Sequence, residues 1–162
     1  MQQSERLSDA EFIIIAVDPG VSGGIVWNES GKTHAIKMPG TVDELVDLLQ
    51  KFAMKSRLVE MHLEYPSKGG WGEAAGAGIS KLFEQIGGIR YSGLMVGWKV
   101  NLVPPQRWQA AVGIKREKLE KRTAWKNRLK DLAASRYPDN SVTLYTADAL
   151  LIHSAAVRGL LF

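Results

Sequence analysis

The 162 residues contain no cysteine, which excludes disulfides, a thiolate nucleophile and zinc held by sulfur, and agrees with a reducing compartment. Histidine is scarce, with three residues, so little remains for a site built from imidazoles. No apolar run approaches the roughly 20 residues needed to cross a bilayer, and no internal repeat or linker divides the chain. The length suits one domain with its own core and argues against a two-domain enzyme. A hydrophobic fraction of 45% and a charged fraction of 23% are those of an ordinary soluble protein. Residues 1–11 are polar, carry acids and resemble neither a secretory signal nor a transit peptide. They are expected to form a flexible arm before a domain over 12–162, in a cytoplasmic setting with no membrane partner.

Positive charge is present in moderate excess but concentrated. The formal net charge is +4, yet Lys115, Arg116, Lys118, Lys121, Arg122, Lys126, Arg128 and Lys130 face only Glu117 and Glu120 within one short segment. Such a block suits a polyanion such as nucleic acid; the plainer alternative is a solvated helix face.

The chain opens with Phe12-Ile-Ile-Ile-Ala-Val-Asp18-Pro-Gly-Val-Ser-Gly-Gly24, an apolar strand over 12–17 that ends on a carboxylate and a glycine turn. A strand follows over 24–27 and another over 34–38, together reading as an antiparallel meander. Pro39-Gly40 breaks the pattern, and Thr41-Val-Asp-Glu44 is a capping box opening a helix to Lys55 with Leu45, Leu48, Leu49 and Phe52 on one face. Residues 57–64 read as a strand that ends on Glu64 just before Pro66. The glycine-rich stretch 67–78 reads as a loop, 79–96 as a helix and 99–103 as a short strand. Helices over 106–112, 118–137 and 146–161 complete the chain.

Asp18 cannot lie deep in the core without a cation or donors, because an unpaired buried charge is expensive. It therefore belongs at the end of its strand, as Glu64 does at the end of another. Asp148 opens the last helix in Tyr145-Thr-Ala-Asp148-Ala-Leu-Leu-Ile, where the helix N-terminus favours an acid. Taken alone it is an ordinary helix-start residue. Beside two strand-ending acids, a shared metal site is the better account, and three carboxylates select a hard cation, Mg²⁺ or Mn²⁺. Trp71 stands between glycines after Glu64 and could stack on an unpaired base, or fold back onto the protein surface.

Together, Ile15-Ala-Val-Asp18-Pro-Gly20, Leu63-Glu64, the glycine-rich stretch with Ile79 to Gly88, Val103-Pro-Pro-Gln-Arg107-Trp108-Gln-Ala-Ala-Val-Gly113 and Ala147-Asp148-Ala-Leu-Leu-Ile resemble the RuvC-like Holliday junction resolvases of phage and bacteria. These belong to the ribonuclease H-like superfamily. The resemblance implies an α/β fold with a mixed five-stranded sheet flanked by helices. It also implies a homodimer and Mg²⁺-dependent symmetrical nicking of four-way DNA junctions, in a bacterial or phage-infected cell. It points to Lys121 as a catalytic lysine, while Arg107, Lys115, Arg116, Lys118, Arg122 and Lys126 would track phosphates.

The chain departs from those relatives just before Asp148. They usually carry a further Asp or His in that region, where Thr143, Leu144, Tyr145 and Thr146 stand here. His153, Glu60, His62 or water are the candidates for a fourth ligand. Two other functions fit parts of the pattern. A branched-DNA-binding protein without cleavage needs the basic block but not Asp18. An ATP-using phosphotransferase of the actin and sugar-kinase type would use the glycine turn around phosphates, but that arrangement takes two such domains.

Overall fold

The computed structural model describes residues 12–56, 58–66 and 76–161. The expected N-terminal arm, most of the glycine-rich loop and Trp71 lie outside the described residues. The elements run β1 (Ile13–Asp18), β2 (Gly24–Glu29), β3 (Lys32–Lys37), α1 (Val42–Lys55), β4 (Val59–Glu64), α2 (Gly76–Met95), β5 (Lys99–Val103), α3 (Pro105–Ala111), α4 (Arg122–Arg136) and α5 (Ala147–Val157).

The five strands form one mixed sheet in the order β3-β2-β1-β4-β5. The meander is as expected: β1 pairs with β2 and β2 with β3, both antiparallel. Ser30 and Gly31 turn the second hairpin with φ of 51° and 73°, the two positive values that match the twist of a two-residue connection. On its other side β1 pairs with β4, which pairs with β5, both in parallel. The helices that return the chain between those parallel strands cover the sheet.

Each face of the sheet has its own core. Ile13, Ile15, Val17, Met61 and Leu63 point to one side and pack with Leu45, Leu49 and Phe52 of α1 and with Ile86 and Ile89 of α2. The α1 capping box is present, with the Thr41 hydroxyl accepting from the Glu44 amide and the Glu44 side chain returning to the Thr41 amide. On the other face Ala16 and Val26 meet α5, against which α3 and α4 pack through Trp108, Trp125, Leu129 and Ala133. Every residue of α5 from Ala147 to Ala156 is buried, as expected of a helix whose side chains are mostly apolar all round.

The long basic helix expected from Lys118 begins instead at Arg122 and ends at Arg136. Lys118 and Lys121 lie before it because Glu120 organises a turn. Its amide donates to the Glu117 carbonyl and its carboxylate accepts from the Glu117 amide, while Arg116 donates to the Glu120 carbonyl. No helix among the described residues is long and apolar enough to cross a membrane.

Candidate active site

Strand alternation places the acids on the α5 face. Ile13, Ile15 and Val17 face α1 and α2, so Asp18 turns the opposite way; Met61 and Leu63 do likewise, so Glu64 turns with it. The register pairs Val17 with Leu63, which brings Asp18 and Glu64 side by side at the carboxyl ends of two adjacent parallel strands. Such ends, where connections leave in opposite directions, form the crevice in which open α/β sheets place ligands.

Two glycines permit the third acid to arrive. A Cβ on Gly23 would lie 1.9 Å from the Asp18 carbonyl oxygen, so the chain after Asp18 folds back on itself at that residue. A Cβ on Gly24 would lie 2.6 Å from the Tyr145 carbonyl oxygen and 2.8 Å from that of Ile36. The missing side chain lets the segment leading into α5 rest directly on β2. Gly20, at φ 100°, turns the chain after Pro19, and its amide donates to Gln85 Oε1 of α2 at 2.6 Å.

Asp148 then stands in the first turn of α5, nearly buried, where the helix N-terminus favours its negative charge. Its Oδ2 accepts from Lys126 Nζ of α4 at 2.5 Å, and its Oδ1 is buried with no hydrogen-bond partner among the described residues. Glu64 Oε2 accepts from Trp108 Nε1 of α3 at 2.6 Å. Arg136 fastens α4 to the same frame, donating to Ser154 Oγ of α5 and to the Val112 carbonyl.

The electrostatics are those of crowded acids. Burial, followed by the charges of Glu64 and Asp148, pushes the Asp18 carboxyl well above the ordinary carboxylate range, with Lys126 pulling it down. Burial and then Asp148 push Glu64 up to about 7, against the Trp108 hydrogen bond and Lys126. Burial works against the Lys126 ammonium, but Asp148, then Asp18 and Glu64, raise it above the ordinary lysine value. Asp18 and Glu64, both held against ionisation, and a buried Asp148 oxygen without a donor among the described residues fit a hard divalent cation in charge and in donor chemistry. Asp148 and Glu64 bond to Lys126 and Trp108, and among the described residues no three of His, Asp or Glu form a ready-made cation cage.

The remaining sequence candidates are distributed around this centre. His153 spends Nδ1 on the Tyr137 hydroxyl at 2.9 Å, while burial and then the charge of His62 push it down to about 4. Glu60 Oε1 accepts from Asn101 at 2.7 Å and from Lys99 at 3.1 Å, with His62 Nε2 also at 3.1 Å. Lys121 is the exposed N-cap of α4, and Arg107, Lys115, Arg116, Lys118 and Arg122 are exposed. A cleft of about 440 Å³ opens beside Asp18, lined by Ser22, Gly23, Arg122, Lys126, Leu144 and Tyr145.

Sequence reasoning gave Trp108 no role and treated Lys126 only as a phosphate contact. A signal for Lys126 does exist. With Trp125, Leu129 and Ala133 as the buried stripe of α4, Arg122 and Lys126 form the adjoining row.

No protein-family model and no curated protein matches the chain. Among solved structures, Thermus thermophilus RuvC in complex with a Holliday junction substrate aligns over 91% of this chain and 96% of that chain, with a TM-score of 0.58 and 14% sequence identity. The fold is that of RuvC. A second T. thermophilus RuvC structure aligns over the same shares of both chains at 13% identity, with a TM-score of 0.49. The ribonuclease H-like fold implied by the resemblance is present, with Asp18 ending the central strand β1 of the mixed five-stranded sheet and Glu64 ending its neighbour β4.

Proposed function

We propose that this protein is a metal-dependent endodeoxyribonuclease that nicks four-way DNA junctions symmetrically as a homodimer. The observation that carries this reading is the meeting of Asp18, Glu64 and Asp148, from two strand ends and a helix start, with Asp148 Oδ1 buried and unpartnered among the described residues. These three would hold Mg²⁺, for which Mn²⁺ would substitute. A cation so held supplies the Lewis acidity that activates water toward a phosphodiester.

The chain's own residues account for binding and orientation. Arg122 and Lys126 line the cleft next to Asp18 and can take phosphate oxygens, which fixes the register of a strand without reading its sequence. Lys115, Lys118 and Lys121 extend the positive surface away from the cleft, with Arg107 nearby on α3 as a further phosphate contact. Arg116 and Arg128 differ, since both are engaged with Glu120. Trp71, in the glycine-rich segment after Glu64, would stack on a base at the open centre of a junction. The chain after Asp18 folds back over the Asp18 carbonyl at Gly23, where no side chain would fit. The exposed apolar faces of α1 and α2, with Val42, Val46, Tyr91 and Met95, are the surface the dimer would cover.

The test is a labelled synthetic four-way junction incubated with protein and Mg²⁺, with linear duplex as control. Paired nicks in the junction alone are expected, and Asp18→Asn should abolish them while junction affinity persists. Tight junction binding without Mg²⁺-dependent nicks in the wild type would replace this reading with that of a branched-DNA-binding protein.

A further inference from the structure

Lys126 holds an unusual place for a residue of a DNA-facing basic segment. Its backbone is anchored, because its neighbour Trp125 and the next turn's Leu129 are buried in the α5-side core. Only its flexible stem is free to swing. The side chain is 32% exposed and its ammonium meets a carboxylate that is itself 8% exposed. One Asp148 oxygen is thereby occupied while the other stays buried and, among the described residues, bare. The same lysine lines the cleft beside Asp18 together with Arg122 and Tyr145, so a short swing separates the acids from the space where a phosphate would lie.

We propose that Lys126 is the resident counter-cation of this acidic centre, that an incoming divalent ion must displace it from Asp148, and that DNA phosphate in the cleft receives it when displaced. This rests on the metal-nuclease reading above. A lysine ammonium and a divalent cation at one carboxylate repel each other, so Lys126 weakens metal binding as long as it has no second partner. A phosphodiester in the cleft provides that partner. Linkage then makes metal and DNA bind cooperatively, each raising the affinity for the other by the same factor. The consequence is a protein that loads metal poorly until substrate is in place.

The experiment titrates Mn²⁺ into DNA-free protein and reads free Mn²⁺ by electron paramagnetic resonance. The variants are Lys126→Met, Lys126→Arg and, as a control that removes the same charge from an exposed position on α1, Lys51→Met. Lys126→Met is expected to bind Mn²⁺ more tightly, within the about 5- to 150-fold range typical of coupled sites. Lys126→Arg keeps the competing charge and is expected to match the wild type or bind more weakly, and Lys51→Met should match it. A repeat with a phosphorothioate-substituted four-way junction should raise wild-type affinity and raise that of Lys126→Met distinctly less. If Lys126→Met binds Mn²⁺ no more tightly than the wild type, the counter-cation role is refuted while the metal site stands. An equal rise with DNA in both proteins refutes the hand-over to phosphate. Absence of Mn²⁺ binding in every variant overturns the metal-nuclease reading, and the proposal with it.

Discussion

Glu64 gives the most quantitative consequence of crowding three acids. Its carboxyl titrates at about 7 in the folded protein against an ordinary value of about 4.5. Because the raised value means that the folded state holds the proton, the fold is favoured at low pH. That advantage is lost as pH rises from the unfolded value through the folded one. At about 1.36 kcal/mol per unit, the full loss is about 3 kcal/mol, most of which falls between pH 5 and pH 8. Glu64→Gln cannot ionise and still offers Trp108 an acceptor. Measured without metal, the stability of Glu64→Gln minus that of wild type should therefore climb by about 2–3 kcal/mol over that interval, or about 5–10 °C in Tm for a chain of this size. Taking the difference cancels the titration of every group that the substitution leaves alone. Mg²⁺ should narrow the gap at pH 8 by stabilising the wild type, since a ligand that binds only the native state adds to its stability. Thermal unfolding monitored by circular dichroism at several pH values is sufficient. Parallel curves for the two proteins would refute the claim that Glu64 is held against ionisation.

Other consequences concern the frame of the site. Gly24→Ala would drive a methyl group into the carbonyls of Tyr145 and Ile36; a destabilisation of about 2–3 kcal/mol is expected, together with weaker Mn²⁺ binding because Tyr145 leads into Asp148, as denaturant melts and metal titration would show. His153, pushed down to about 4 by burial, opposes Glu64 in sign: it contributes stability above its ordinary value of about 6.5, and that stability is lost as pH falls toward 4. His153→Gln should accordingly flatten the acid limb of the stability profile below pH 6.5, and an unchanged acid limb would mean that another group controls it.

Much of this architecture can be read from local chemistry. An apolar strand that ends in Asp-Pro-Gly must release its acid at the strand end, a Thr-x-x-Glu box must start a helix, and a segment over 149–156 that is apolar except at His153 and Ser154 must be buried. Each follows from the residues and their nearest neighbours along the chain, which is why β1, α1 and α5 differ from expectation only at their ends. The boundaries of α4 were less legible, because the Glu117–Glu120 turn depends on side-chain bonds from Arg116 and Glu120 that periodicity does not register.

The sequence by itself determined that three carboxylates would be delivered at element ends and that positive charge would gather before and along α4. Tertiary structure alone decided their partners. Lys126 rather than Lys121 reaches Asp148, Trp108 donates to Glu64, and the His153 ring turns to Tyr137. These pairs join residues 22, 44 and 16 positions apart. Hydrophobic periodicity tells which face of a helix is buried but not which other element that face will meet. The meeting is settled by how closely the layers approach, and here that distance depends on the bare backbone of Gly24 against Tyr145.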